Sequence, residues 1–410
     1  MSLADVRDAI TQAHREEWAR VVASLTRRFG DLDIAEEAAA EAFAAAVERW
    51  PVDGVPPKPG AWLTTTANHK AIDRIRRESK RDGKQREAQL VFADEPAGPV
   101  GAVEDERLRL IFTCCHPALS PQAQVALTLR MVGGLTVPEI ARAFLVQEAT
   151  MGQRITRAKS KINTARIPYR VPSAHDLPAR VHGVLAVLFL VFNEGYLSSG
   201  PDTDPVRHDL TAEAIRLARL LHDLMPDDGE VTGLLALMLL TEARRAARVS
   251  ASGELVTLDE QDRGTWDATL IAEGHRLVRE RLATGMAPGR YQVLAAISAV
   301  HTFARDARDT DWSQVVALYD QLVRLHRSPI IALNRAVAVA ERDGPDVALA
   351  AVEELGGTLT GFHAFQATRA DLLRRVGRSQ ESREAYDRAI ELAGNTAEIA
   401  YLRRRRDELR

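Results

Sequence analysis

At 410 residues, with 46% hydrophobic residues, 27% charged residues and a formal net charge of −3, the chain has room for two to three globular domains. The charge excludes a polycation, so any nucleic-acid site has to be a local basic patch. The two cysteines, adjacent at Cys114 and Cys115, exclude a disulfide framework and lack the residue gap of a zinc site, which leaves buried thiols in a reducing compartment.

Aromatics make up only 5% while Ala, Leu, Arg and Glu abound, so an all-α fold is expected. The first residues lack a basic stretch followed by an apolar core, and so do not read as a signal peptide. The longest apolar run, GVLAVLFLVF at 183–192, is too short to span a bilayer and reads as a buried helix. A cytoplasmic protein without membrane contact is expected.

Helical periodicity begins at once. Residues 12–29 and 33–49 read as two amphipathic helices, the second acidic through Asp33, Glu36, Glu37 and Glu41. PVDGVPPKPG at 51–60 reads as a loop. A third helix is predicted over 61–80, with Trp62, Ala67, Ala71, Ile72 and Ile75 on its apolar face. From Lys70 to Arg86, eight basic residues stand against three acids, a local +5. A solvated face is the bland reading of such a run. The Thr64–Thr66 cluster, Asn68 and Trp62 add groups that bond phosphates or stack on bases. Residues 87–106 lose periodicity and carry Pro, Gly and six acids, as a linker does.

A second unit, 107–170, follows. Ser120-Pro121 is a helix start, Gly133-Gly134 a stop, and Thr136-Val-Pro-Glu139 a capping box. The next helix, EATMGQRITRAKSKIN at 148–163, places Met151, Ile155, Ala158 and Ile162 on one face and a purely basic set on the other. The order is that of a helix-turn-helix. Its reading end would carry Thr150, Gln153, Arg154 and Arg157 to base edges and phosphates, with Lys159 and Lys161 on phosphates.

From about 175 to 410 the pattern stays helical apart from 246–265. Ala336, Val339, Val352 and Leu355 reappear 34 residues later as Ala370, Leu373, Tyr386 and Ala389. That period resembles a tetratricopeptide repeat. The arginines at 403–406 complement a helix C-terminus.

DIAEEAAAEAFAAAVERW with PGAWLTTTANHKAIDRIRR resembles domain 2 of bacterial extracytoplasmic-function (ECF) sigma factors, and SPQAQVALTLRMVGGLTVPEIARAFLVQEATMGQRITRAKSKI resembles their domain 4. The remainder, including FNEGY at 192–196, is similar to the subgroup with a tetratricopeptide-like extension. The resemblance implies domain 2 at 10–86, a linker at 87–106, domain 4 at 107–170 and a regulatory domain at 175–410. It implies partners, core RNA polymerase and promoter DNA, and neither an enzyme nor a cofactor. Asp33, Glu36, Glu37 and Glu41 would dock on polymerase. Trp62, Asn68, Lys70, Arg74, Arg76, Arg77 and Lys80 would open and read the −10 element. Thr136, Thr150, Gln153, Arg154, Arg157, Lys159 and Lys161 would serve the −35 element. The C-terminal groove would take a protein, a peptide or a small ligand.

Two departures stand out: Leu145 where such turns often have Gly, and Gly152 inside the reading helix, where it costs about 1 kcal/mol or lets DNA approach closely. The competing reading is a helix-turn-helix regulator with a repeat-type sensor, which leaves 10–86 unassigned. A repeat scaffold with idle basic helices is the third.

Overall fold

A computed structural model describes residues 3–82, 106–144, 146–173, 175–196, 207–250 and 253–409. It is all-α, and the chain divides into two compact units, 1–188 and 189–410. The predicted linker falls almost wholly outside the described residues, as does Leu145.

The first unit holds α1 (Leu3–Phe29), α2 (Leu32–Asp53), α3 (Pro59–Asp82), α4 (Glu106–Cys114), α5 (Pro121–Met131), α6 (Val137–Ala143) and α7 (Glu148–Thr164). Asp31 caps α2 by accepting from the amides of Asp33 and Ile34 at 2.7 and 3.1 Å. The small stripe Ala35, Ala38, Ala39, Ala42 and Ala46 is fully buried, which lets neighbouring helices approach closely. Helix α2 runs past the predicted end. Pro51 lies in its last turn, where the missing N–H removes one bond at an exposed edge, and Gly54 closes the helix in the left-handed region (φ 85°), its amide on the Trp50 carbonyl at 3.0 Å. The loop shrinks to 54–58 because Pro59 is a favourable first helical residue.

In the helix-turn-helix, Ser120 caps α5 and Pro121 opens it. The Thr136 box closes as predicted: Glu139 Oε2 accepts from the Thr136 amide and hydroxyl, both at 2.7 Å, and Thr136 Oγ1 from the Glu139 amide at 3.3 Å.

Helix α8 (Leu177–Tyr196) runs across the unit boundary. It is long and apolar enough to cross a membrane, yet Val181, Val184, Leu185, Val187, Leu188, Val191 and Phe192 are buried in the protein.

The second unit continues with α9 (His208–Leu224), α10 (Gly229–Glu242), α11 (Ala268–Ala283), α12 (Arg290–Phe303), α13 (Trp312–Leu325), α14 (Pro329–Asp343), α15 (Pro345–Glu353), α16 (Gly356–Leu359), α17 (His363–Arg375), α18 (Ser379–Leu392) and α19 (Thr396–Asp407). The 34-residue echo falls on two helix pairs, α14–α15 and α17–α18, separated by the short α16, with Leu355 just past the end of α15. Their turns hold Gly344 and Gly377 at positive φ. Seven of the eight echoing residues are buried; Leu355 is partly so. Among the described residues, the segment 246–265 breaks the pattern with 3-10 turns at Arg245–Ala247 and Arg263–Thr265 and a bridge between Val249 and Leu255.

Candidate nucleic-acid and polymerase interface

Helix α7 separates its two faces cleanly. Met151, Ile155, Ala158 and Ile162 are buried, while Thr150, Gln153, Arg157 and Lys161, spaced 3, 4 and 4, are exposed along one edge. Gln153 Oε1 accepts from Arg157 at 2.9 Å, which fixes both side chains side by side. Arg154 is half-buried and Thr136 is exposed at the head of α6. Gly152 needs no close contact inside the protein, since a Cβ there would meet only Val137 Cγ1, at 3.9 Å.

Lys159 departs from its expected place. It is buried, 7% exposed, and its ammonium is turned away from the open edge toward α2, where it bonds Asp33 Oδ1 at 2.7 Å and contacts the Glu36 carboxylate. In this conformation it is not available to a phosphate. The reason is register: Lys159 follows the buried Ala158, on the flank of α7 from which its long side chain reaches the acids of α2.

Around α3 the basic side chains divide. Lys70 and Arg74 reach back to α2, Lys70 to Glu41 at 3.5 Å and Arg74 to Glu37. Arg76 and Arg77 are exposed, and Arg77 donates to the Asp73 carbonyl at 3.3 Å. Asn68 is held by two partners: it donates to the Thr64 carbonyl at 3.0 Å and accepts from Arg28 at 3.3 Å. Trp62 is half-buried, edge-on to the buried Trp50 at 5.6 Å. The Lys80 side chain lies outside the described residues.

The four acids singled out on α2 therefore split, Asp33 and Glu36 toward α5 and α7, Glu37 and Glu41 toward α3. Glu36, itself buried, accepts a second bond from Arg130 of α5 at 2.5 Å. Arg130 and the Arg28 support of Asn68 were not anticipated. Each lies in the last turn of its helix, where a cation reads simply as a dipole partner.

The two thiols are buried. Burial pushes Cys114 well above the usual thiol range and Cys115 to about 11, with Cys115 Sγ 3.3 Å from the Thr128 hydroxyl. In FNEGY, Gly195 is the demanding residue. A Cβ there would lie 2.7 Å from the Thr211 amide and 2.9 Å from the Arg207 carbonyl, so α9 can dock only on a glycine. The Arg248 guanidinium sits 3.2 Å above the Tyr196 ring.

The sequence matches the Sigma-70 region 2 family over 14–81, the Sigma-70 region 4 family over 109–162, and a family of unknown function (DUF6596) over 180–282. It is 44% identical over 397 residues to "Uncharacterized protein R00370" of Rhizobium meliloti, covering 95% of this chain and 93% of the relative. It is 29% identical over 181 residues to the "Probable ECF RNA polymerase sigma factor SigI" of Mycobacterium tuberculosis, covering 42% of this chain and 61% of that protein. With the "ECF RNA polymerase sigma factor SigK" of Mycobacterium ulcerans it shares 27% over 159 residues, 37% of this chain and 82% of the relative. No solved structure matches.

Proposed function

The chain belongs to the ECF-type RNA polymerase sigma factors and carries a C-terminal extension, and from that premise we propose that it docks α2 on core polymerase, opens the −10 element with α3, reads the −35 element with α7 and is controlled in cis by its C-terminal unit. It works in the cytoplasm and performs no bond chemistry of its own; the polymerase does that.

One observation carries the reading. The edge of α7 formed by Thr150, Gln153, Arg157 and Lys161 is exposed, free of acids and backed by a fully buried apolar face. A rigid helix presenting an amide and a guanidinium at adjacent turns suits base edges in a major groove, and the flanking lysine suits phosphate.

The control element is the cleft of about 700 Å³ in the second unit, between the inner faces of α14 and α17, the last helix and the segment 257–263. Trp312, Tyr319, Tyr386 and Tyr401 line it together with Asn334 and Thr368, which stand 34 residues apart on equivalent faces. Its volume suits a short peptide stretch or a small ligand. The pairing of helices at a 34-residue spacing supports a tetratricopeptide-like architecture for this unit.

Run-off transcription with purified core polymerase tests the reading, using the chain's own upstream DNA with the full chain, residues 1–170 and no factor. A defined start that needs the added protein is expected, and the contrast between the two lengths gives the sign of C-terminal control. Absence of both a start and core binding would leave an ordinary helix-turn-helix regulator.

A further inference from the structure

In the second unit, α10, α11, α12 and α13 enclose a cavity of about 160 Å³ that shares no lining residue with the larger cleft. Its walls are apolar, with Ala236, Leu277, Val278, Val293 and Leu318 facing inward. An apolar cavity of about 150 Å³ takes a body the size of benzene, or about six carbons. At the open side, Leu282 and Met286 line the cavity and yet keep 66% and 65% of their surface in water.

The polar group at this opening is Arg281, half-buried in the last turn of α11. Its Nε is buried without a hydrogen-bond partner, Nη1 lies 3.5 Å from the Asp227 carbonyl and Nη2 3.9 Å from Met286 Sδ. No carboxylate pairs with it among the described residues. The acids of this corner serve backbone amides instead. Asp228 Oδ1 accepts from the amides of Glu230 and Val231 at 2.9 and 3.0 Å, and the Glu230 carboxylate accepts from those of Tyr291 and Gln292. Arg281 Nη2 and Gln292 Nε2 both crowd the place where a Cβ on Gly229 would stand, so two N–H donors lie side by side at the first residue of α10. The positive end of a helix dipole favours an anion there over a cation.

We propose that this cavity binds a small amphiphilic carboxylate, its tail of about six to eight carbons among the apolar walls and its carboxylate on Arg281 and Gln292. The tail takes Leu282 and Met286 out of water, and the head supplies the charge that Arg281 lacks. A short fatty acid and an arylalkanoic acid share this chemistry. The inference rests neither on the polymerase reading nor on the role of the larger cleft.

Isothermal titration calorimetry of the full chain tests it, with octanoate, phenylacetate, 1-octanol and acetate as probes. Two variants accompany the wild type. Arg281→Met keeps an apolar stem and removes the charge. Ala296→Leu fills the cavity from α12, at a half-buried position. Thermal melts establish that both fold; should Ala296→Leu fail to, Arg281→Met alone decides. At least one of the two acids is expected to bind at a single site per chain, about tenfold or more tightly than 1-octanol or acetate. Arg281→Met should weaken that acid about tenfold and leave 1-octanol unchanged, and a folded Ala296→Leu should bind neither. The tighter acid identifies the straight-chain or the aryl source. Absence of saturable binding by both acids, equal affinity for octanoate and 1-octanol, or wild-type acid affinity in either variant would overturn the proposal.

Discussion

Trp18 and Met131 are 113 residues apart in the chain and joined by a hydrogen bond from the indole Nε1 to the backbone carbonyl. The bond ties the middle of α1 to the last turn of α5, where the carbonyl has no partner within its own helix. A helix end in the stretch that matches Sigma-70 region 4 is thus completed by a side chain from the stretch that matches region 2.

Gly152 lies inside α7 with no neighbour nearer to a new Cβ than Val137 Cγ1 at 3.9 Å. Gly152→Ala should therefore stabilise the first unit by about 1 kcal/mol, the difference in helix propensity. Urea denaturation of the full chain followed through that unit's transition measures it. Promoter affinity should not fall; a loss would mean that DNA approaches the backbone at this point.

Gly195 is the opposite case. Its Cβ would meet backbone atoms of Thr211 and Arg207 under 3 Å, and backbone cannot step aside as a flexible side chain does. Gly195→Ala should destabilise the second unit by about 1–3 kcal/mol. Gly361→Ala, with nothing within 4 Å, is the control and should stay within about 0.5 kcal/mol of the parent.

On the DNA side, Arg157→Ala and Lys161→Ala should part company. Arg157 stands beside Gln153 on the reading edge, so its loss should cost about 1–3 kcal/mol and relax preference for the −35 sequence. Lys161, at the far end of the helix, should weaken all sequences alike and lower the salt slope by about one. Gel shifts of the polymerase complex over a salt series separate the two effects.

His301 titrates in a useful range. Burial, with Arg244 and Arg263 nearby, lowers it from 6.5 to about 4. The folded state thus holds it neutral while the unfolded chain protonates near 6.5. Its contribution is fully present above that value and is lost as pH falls from about 6.5 toward 4, on the order of 3 kcal/mol in all. His363 runs the other way, raised by its bond to Glu398, and favours the fold at lower pH. Denaturation of wild type and His301→Gln at pH 7 and pH 5 isolates the term: the variant should lose less stability on acidification.

The local devices were legible because they are local. The Ser120-Pro121 start, the Thr136–Glu139 box and the buried stripe of α7 depend on residues that follow one another at intervals of four positions or fewer. The extent of α2 was not legible, because Pro51 reads as a breaker unless its place in a last turn is known. Nor was the fate of Lys159. Periodicity puts it off the apolar face, which is correct, but a flank becomes interior or exterior only when another element covers it. Here the cover is α2, 126 residues away for Asp33. The same distance hid Arg130, whose partner Glu36 lies 94 residues earlier.

The last helix, α19, is fastened on two sides. Arg404 meets Glu254 and Glu260 from the non-helical segment at 3.4 and 3.2 Å, and the Leu255 amide reaches the Ala397 carbonyl at 3.4 Å. Arg405 and Arg406 reach Asp371 and Asp387 on the other side. The ion pairs thus tie the last helix to the segment at 254–260, and both elements line the cleft, so the closure of one wall of the cleft depends on charge rather than on apolar packing alone.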